Sequence, residues 1–436
     1  MDRLPDWSAN PHRAVQPAEG PEAILEHLAP HTHVIVPLAA GEPVLTLDAM
    51  QAHAESLTAI TVHQMHGLHD RPFLHGLNRG HLDYQSYFLS PVTRKAFLGG
   101  GCDLVPCHFS EVPSLLRRLT GPKLIAAACS PMDRHGYFSL GTNADYVAPF
   151  IGHVPFFLEA NAQMPRTFGR NQIHVSQTIG WIEADYPLVE VVPAEPSDLD
   201  RRIADFVAER VPNGATIQAG IGSIPNAVFE RLRGHQHLGI HTELLSDGVI
   251  DLVERGVVTG TRKVRRPTKV VATFALGTRE LYDFIHENAS VELLPVDWVN
   301  DPRNIGLEDH FVSVNATLEV DLLGQAASET LNGRYYSGSG GQADFARGAM
   351  YADGGQGFIA LRATAREGTV SKIVSRLASG DAVTTMKNTV DQVVTEFGVA
   401  ELRGQSIRER TKRLIGIADP AFRDELTAEG KAMGYL

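Results

Sequence analysis

At 436 residues the chain is longer than one hydrophobic core usually serves, so two domains are expected. Hydrophobic residues make up 43% and charged residues 21%, a globular balance that argues against disorder. A formal net charge of -12 argues against a nucleic-acid partner, although 39 Lys and Arg leave room for a local basic pocket for an anionic ligand.

The start, MDRLPDWSANPHRAVQPAEG, carries no apolar run of the length of a secretory leader. No stretch approaches the roughly 18 apolar residues of a membrane span, so a cytoplasmic protein with no membrane partner is expected. Cys102, Cys107 and Cys129 are too few for a disulfide framework and match no zinc spacing. They read as small buried hydrophobes in a reducing compartment.

In chain order, residues 34–38 and 124–128 read as buried strands, with helices over 48–55 and 91–98 between them. This alternation points to a mostly parallel α/β sheet covered on both faces. Val192-Pro193-Ala194-Glu195-Pro196 ends a strand-like run, and Ser197 can cap a helix over 198–211. We therefore expect an N-terminal α/β domain over 1–191 and a C-terminal one over 192–436. The second half repeats the alternation. Strands are expected over 215–218, 270–274, 291–294, 311–314, 318–322 and 358–361, with helices over 225–232 and 281–287. A charged helix beyond Gly404 and a short final one from Asp419-Pro420 complete the chain, their charges assigned to solvent.

Several segments carry chemistry. Gln218-Ala219-Gly220-Ile221-Gly222-Ser223-Ile224-Pro225 joins a strand to a helix that Pro225 can open. Gly220, Ile221 and Gly222 there allow a tight turn whose N–H groups can meet negative charge, or simply a tight βα connection. Tyr335-Tyr336-Ser337-Gly338-Ser339-Gly340-Gly341-Gln342 concentrates three glycines in four residues, which implies close backbone approach, and the two tyrosines suggest that the loop is packed. Glu243, in His241-Thr242-Glu243-Leu244, lies at or just past the end of a strand. A carboxylate there can be a nucleophile, a base, a metal ligand or a helix cap. His63, His66, His69, His75 and His81 are interrupted by Gly67, Pro72 and Gly76, and no carboxylate completes a metal motif, so no metal is expected. Lys372, Arg376 and Lys387 can meet phosphates or solvent.

Taken together, these segments resemble the acetyl-CoA hydrolase and 4-hydroxybutyrate CoA-transferase family among the class I CoA-transferases. The resemblance runs through Phe109-Ser110-Glu111-Val112-Pro113, Asn161-Ala162-Gln163-Met164-Pro165-Arg166, Gly220 to Pro225 and His241-Thr242-Glu243-Leu244. It continues through Pro295-Val296-Asp297-Trp298-Val299-Asn300-Asp301-Pro302, Tyr336 to Gln342 and Val394-Thr395-Glu396-Phe397-Gly398. It implies two open, mostly parallel α/β domains of the CoA-transferase type with the active site in the cleft between them, and a homodimer or higher homo-oligomer.

It also implies that Glu243 attacks an acyl-CoA, forming a glutamyl anhydride and then a glutamyl-CoA thioester that an incoming acid resolves. Acyl-CoA and small carboxylic acids are then the substrates, with no tightly bound cofactor. Gly220, Ile221 and Gly222 would supply oxyanion donors, with Gly338, Gly340, Gly341 and Gln342 on the facing loop and Lys372, Arg376 and Lys387 meeting the CoA phosphates. The histidine-rich segment His66 to His75, which carries Arg71, departs from the acetate- and butyrate-using relatives, and Arg166 is taken together with it. They suggest an acceptor with a second carboxylate, such as itaconate or succinate. Gln177 stands where relatives lead one to expect an acid. Hydrolysis of acyl-CoA by the same glutamate is the alternative.

Overall fold

The structure, a computed structural model, describes residues 16–220 and 222–436. The chain divides into two compact units, Met1–Val191 with Ala272–Trp298 and Val192–Val271 with Val299–Leu436. A single cut at residue 191 therefore does not capture the division, because residues 272–298 belong with the first unit. Their contacts explain it. The strand Val291–Leu293 pairs in parallel with Phe168–Gly169, and the Tyr282 hydroxyl donates to Val189 O at 2.7 Å.

The first unit is built on a seven-stranded, all-parallel sheet. Its strands are β1 (His33–Val36), β2 (Ile60–Gln64), β3 (Leu82–Ser86), β4 (Asp103–Leu104), β5 (Lys123–Cys129), β6 (Phe156–Asn161) and β7 (Thr178–Ala184), in the order β7-β6-β5-β1-β2-β3-β4. β1 and β5 are the expected apolar runs, buried on both faces as a covered parallel sheet requires. β2 and β3 carry buried polar side chains, each with a specific partner. His63 meets His33 at 2.9 Å and the Tyr87 hydroxyl at 3.0 Å, and Gln64 donates to Glu42 at 3.0 Å. Helix α1 (Val44–Ala52) starts four residues before the expected position. Glu159 on β6, remote in sequence, accepts from Leu45 N and Thr46 N at 3.2 and 2.8 Å and so caps its first turn. Helix α2 (Pro91–Leu98) falls as expected, capped by Ser90.

In the second unit, α3 (Asp198–Ala208) begins where Ser197 and Asp200 form a reciprocal capping box. It stops short of Val211, the residue before Pro212, which disfavours helical backbone there. The sheet contains β8 (Thr216–Ala219), β9 (Gly239–Ile240), β10 (Phe311–Ala316), β11 (Gln356–Ala360), β12 (Gln392–Thr395) and β13 (Gly398–Glu401), in the order β9-β8-β10-β11-β12-β13. All neighbours are parallel except β12 and β13.

Helix α4 (Ser223–Arg231) follows β8 with Pro225 in its first turn, and α5 (Gln342–Tyr351) follows the glycine-rich loop. The C-terminal helices α6 (Ile407–Ile417) and α7 (Arg423–Ala432) press Leu414, Ile417 and Leu426 onto Ile359, Val393 and Ala400. The final helix, expected from Asp419-Pro420, is ten residues long and follows a single turn over Pro420–Phe422. One of the charges assigned to solvent is structural: Arg410 is buried and donates to the carbonyls of Leu323, Leu402 and Lys387. Among the described residues no helix is long and apolar enough to cross a membrane.

Candidate active site

β8 and β9 are adjacent and parallel, with Ile217 opposite Ile240, so their carboxyl ends bring two of the singled-out segments side by side. In open α/β sheets this is where ligands gather. Beyond β8, Gly220 N–H donates to Val314 O at 3.0 Å. Gly222, at φ 120°, then turns the chain into α4 in a conformation that side-chain-bearing residues resist. Ile221 lies outside the described residues. Beyond β9, His241 N–H donates to Ile217 O at 3.1 Å and Thr242 N–H to Val271 O at 2.9 Å, which carries the strand direction on to Glu243.

The Glu243 carboxylate is held from two sides. Asn300, fully buried, donates Nδ2–H to Oε2 at 2.7 Å, and the backbone N–H of Gly341 favours the charged form as well. Gly341 is the residue before α5, so the carboxylate also meets the positive end of that helix. A Cβ at Gly341 would fall on Glu243 Oε2 and Asn300 Nδ2, and Gly340 adopts a left-handed φ of 54°. The glycines there admit the carboxylate.

Glu243 keeps some solvent-exposed surface, yet its acid end is crowded by protein. Desolvation raises its pKa to about 7, against the two hydrogen bonds that favour the charged form. A carboxylate of this basicity is a stronger nucleophile than an ordinary surface glutamate and is still substantially ionised at neutral pH.

The glycine loop is packed, although Tyr336 is exposed and Tyr335 half-buried. Buried Glu329 does the work. Its backbone oxygen accepts from Tyr336 N at 2.7 Å, and its Oε1 accepts from the Ser339 and Thr384 hydroxyls at 3.1 and 3.0 Å. Ser337, Gly338, Gly340 and Gly341 are all buried, and Gln342 Nε2 reaches Thr385 Oγ1 at 3.1 Å. Below the Gly220 turn, Gln218 and Asn315 exchange a pair of side-chain hydrogen bonds at 3.1 and 3.0 Å.

Arg71 is buried, its guanidinium held by Glu42 and by Asp48 at 2.8 Å. Arg166 donates to Asp133 at 2.6 Å and to Tyr137 O at 3.2 Å. The two arginines share no partner. His66, at φ 56°, packs on Phe88 with ring centroids 5.8 Å apart, and burial lowers its pKa to about 4, so its ring is neutral. Lys372 is half-buried with Nζ 3.4 Å from Thr317 O, and burial lowers its pKa, whereas Arg376 and Lys387 are exposed. Gln177 Oε1 accepts from His174 N–H in a short helical cap.

Cys102 and Cys129 are buried, Cys107 only partly, and none forms a disulfide. No group of three or more His, Cys, Asp or Glu is placed to hold a metal ion among the described residues. Sequence reasoning missed Asn300 and Glu329. Asn300 stood inside a quoted segment, yet an isolated asparagine gives no sign of the carboxylate it will meet.

Two mostly parallel α/β units of the CoA-transferase fold define the class. Residues 17–197 match the acetyl-CoA hydrolase/transferase N-terminal domain and residues 277–430 the acetyl-CoA hydrolase/transferase C-terminal domain. The chain is 45% identical over 92% of its length to succinyl-CoA:cyclohexane-1-carboxylate CoA transferase of Geobacter metallireducens, and covers 92% of that protein. It is 40% identical over 94% of its length to 4-hydroxybutyrate coenzyme A transferase of Clostridium kluyveri, covering 96% of it. Among solved structures, RipA from Yersinia pestis is similar at a TM-score of 0.90 and 36% identity, covering 96% of this chain and 97% of that one. A 4-hydroxybutyrate CoA-transferase from Porphyromonas gingivalis is similar at a TM-score of 0.82 and 38% identity, covering 95% and 96%. The chain belongs to the acetyl-CoA hydrolase/4-hydroxybutyrate CoA-transferase family, as its sequence segments led us to expect. It is an enzyme of the CoA-transferring type.

Proposed function

We propose that Glu243 is the nucleophile of a ping-pong transfer of coenzyme A between carboxylic acids. The observation that carries the reading is a carboxylate at the strand ends, raised to about 7 by burial yet met by two donors. The carboxylate attacks the acyl-CoA carbonyl and expels the CoA thiolate, leaving a mixed anhydride. The thiolate then attacks the glutamyl carbonyl, the first acid departs, and a glutamyl-CoA thioester remains. An incoming carboxylate reverses the sequence.

Asn300 and Gly341 act on the glutamyl side of this chemistry. The oxygen that Asn300 holds, Oε2, becomes the glutamyl carbonyl oxygen, which gains negative charge each time the thiolate adds or leaves. Losing one such donor typically costs about 2.7–4 kcal/mol. The Gly220 and Gly222 turn is assigned to the oxygen of the substrate carbonyl, and Gly338 and Gly340 to the opposite wall. Lys372, Arg376 and Lys387 stay candidates for the CoA phosphates, Arg376 and Lys387 having the exposure that such a role needs.

The Geobacter relative is named for moving CoA from succinyl-CoA, which keeps a dicarboxylate such as succinate on one side of the proposed exchange. Arg71 and Arg166 lend this no support, since each guanidinium is engaged by acidic side chains of the protein. The test offers acetate, butyrate, succinate, itaconate and cyclohexane-1-carboxylate against succinyl-CoA and acetyl-CoA. New acyl-CoA should appear with wild type and not with Glu243→Gln, and Arg166→Ala should leave the acceptor ranking unchanged. Loss of thioester without any acyl-CoA product would favour hydrolysis instead. Exchange persisting in Glu243→Gln would refute the nucleophile.

A further inference from the structure

We infer that His241 is a positioning residue for the transfer reaction, holding the segment that carries Asn300 in register with Glu243. The inference rests on the reading of Glu243 as nucleophile. Three pieces of chain hold the carboxylate: the extension of β9 that bears it, the segment Val299-Asn300, and the start of α5 at Gly341. The His241 side chain touches the second and third while belonging to the first.

Its Nε2 lies 2.7 Å from Val299 O, so Nε2–H donates to the carbonyl immediately before Asn300. Its ring packs edge-on against Phe345 of α5, with centroids 6.4 Å apart, one helical turn from Gly341. The same ring meets Phe311 of β10 edge-on at 6.0 Å, and Phe311 stacks on Phe345. On the strand side, Lys263 Nζ donates to Ile240 O at 2.8 Å, fixing the residue before His241. The result is a closed circuit. It runs from the His241 backbone through Thr242 to Glu243, across to Asn300 Nδ2, back one residue to Val299 O, and home through the imidazole.

The chemistry of the ring suits a fixed bracket. His241 is fully buried, and burial, reinforced by the nearby positive charges of Lys263 and Arg265, lowers its pKa to about 3. The imidazole therefore stays neutral at any pH at which the enzyme works, and the contact with the Val299 carbonyl requires the tautomer with the proton on Nε2. It does not exchange protons with substrate. It sets where the Asn300 amide stands.

Two variants separate this role from general packing. His241→Phe keeps an aromatic ring between Phe311 and Phe345 but removes the donor. His241→Gln keeps an N–H within reach of Val299 O. With Asn300 less firmly presented, the charged form of Glu243 loses stabilisation. His241→Phe should therefore lower kcat about 10–100-fold with KM for acyl-CoA within about threefold, and shift the acidic limb of kcat/KM to higher pH. His241→Gln should retain kcat within about threefold and leave the limb in place.

In an Asn300→Ala background, His241→Phe should cost no more than about threefold further, because both changes remove one interaction. Equal losses in both backgrounds would overturn the proposal, as would an unshifted limb in a folded His241→Phe protein. If His241→Phe does not fold, a displaced limb in His241→Gln overturns it. Failure of the nucleophile reading looks different: Glu243→Gln would retain exchange whatever the His241 variants do.

Discussion

Glu243 concentrates the energetics of the site in one ionisation. Its folded pKa of about 7 lies above the ordinary 4.5 because burial penalises the charged form. Ionisation therefore costs stability, with no cost below pH 4.5, a growing cost between 4.5 and 7, and the full cost above. Glu243→Gln should stabilise the fold by about 1–3 kcal/mol at pH 8 and leave it nearly unchanged at pH 4.5, measured by urea unfolding at the two values. With Glu243 as the proposed nucleophile, the same ionisation gates catalysis. The kcat/KM profile should fall below an apparent pKa near 7, and Asn300→Ala should move that limb upward by removing a donor to the carboxylate. A limb at the ordinary carboxylate value would deny the buried nucleophile its role.

Elements set the positions of these side chains, and here the sequence was legible to different depths. The apolar runs of β1 and β5 and the Ser197 cap of α3 are local signals, and each element formed where that signal stood. β2 and β3 were not legible. Their buried His63, Gln64 and Ser86 look like loop residues until their partners from other segments are in place. The start of α1 was hidden for the same reason, its cap being Glu159 on a distant strand. The acidic neighbours that engage Arg71 and Arg166 in space were likewise invisible in sequence.

The glycine loop before α5 was recognisable as a site of close approach and, through the family resemblance, as facing the Glu243 site, while the part of Asn300 was not. That closeness gives an element-scale prediction. Gly341→Ala puts a methyl group where Glu243 Oε2 and Asn300 Nδ2 lie, so it should abolish most transfer, at least about 100-fold in kcat, with far-UV circular dichroism unchanged. Near-normal turnover would mean that the loop does not face the reacting carboxylate as described.

At the scale of the whole chain, two α/β units are assembled from interleaved segments, with residues 272–298 returning to the first unit before the chain completes the second. Glu243, Asn300 and Gly341 come from three separated stretches of the second unit, joined by β9, the segment after Trp298 and the start of α5. The account of this molecule turns on a covalent bond between coenzyme A and Glu243. The direct measurement is to incubate the enzyme with acyl-CoA, reduce with borohydride, digest and map the modified peptide by mass spectrometry. Reduction of the Glu243 side chain, absent in Glu243→Gln and abolished by prior addition of excess acceptor acid with removal of the acyl-CoA product, is the predicted result. Modification at another carboxylate, or none in an enzyme actively exchanging CoA, would contradict it.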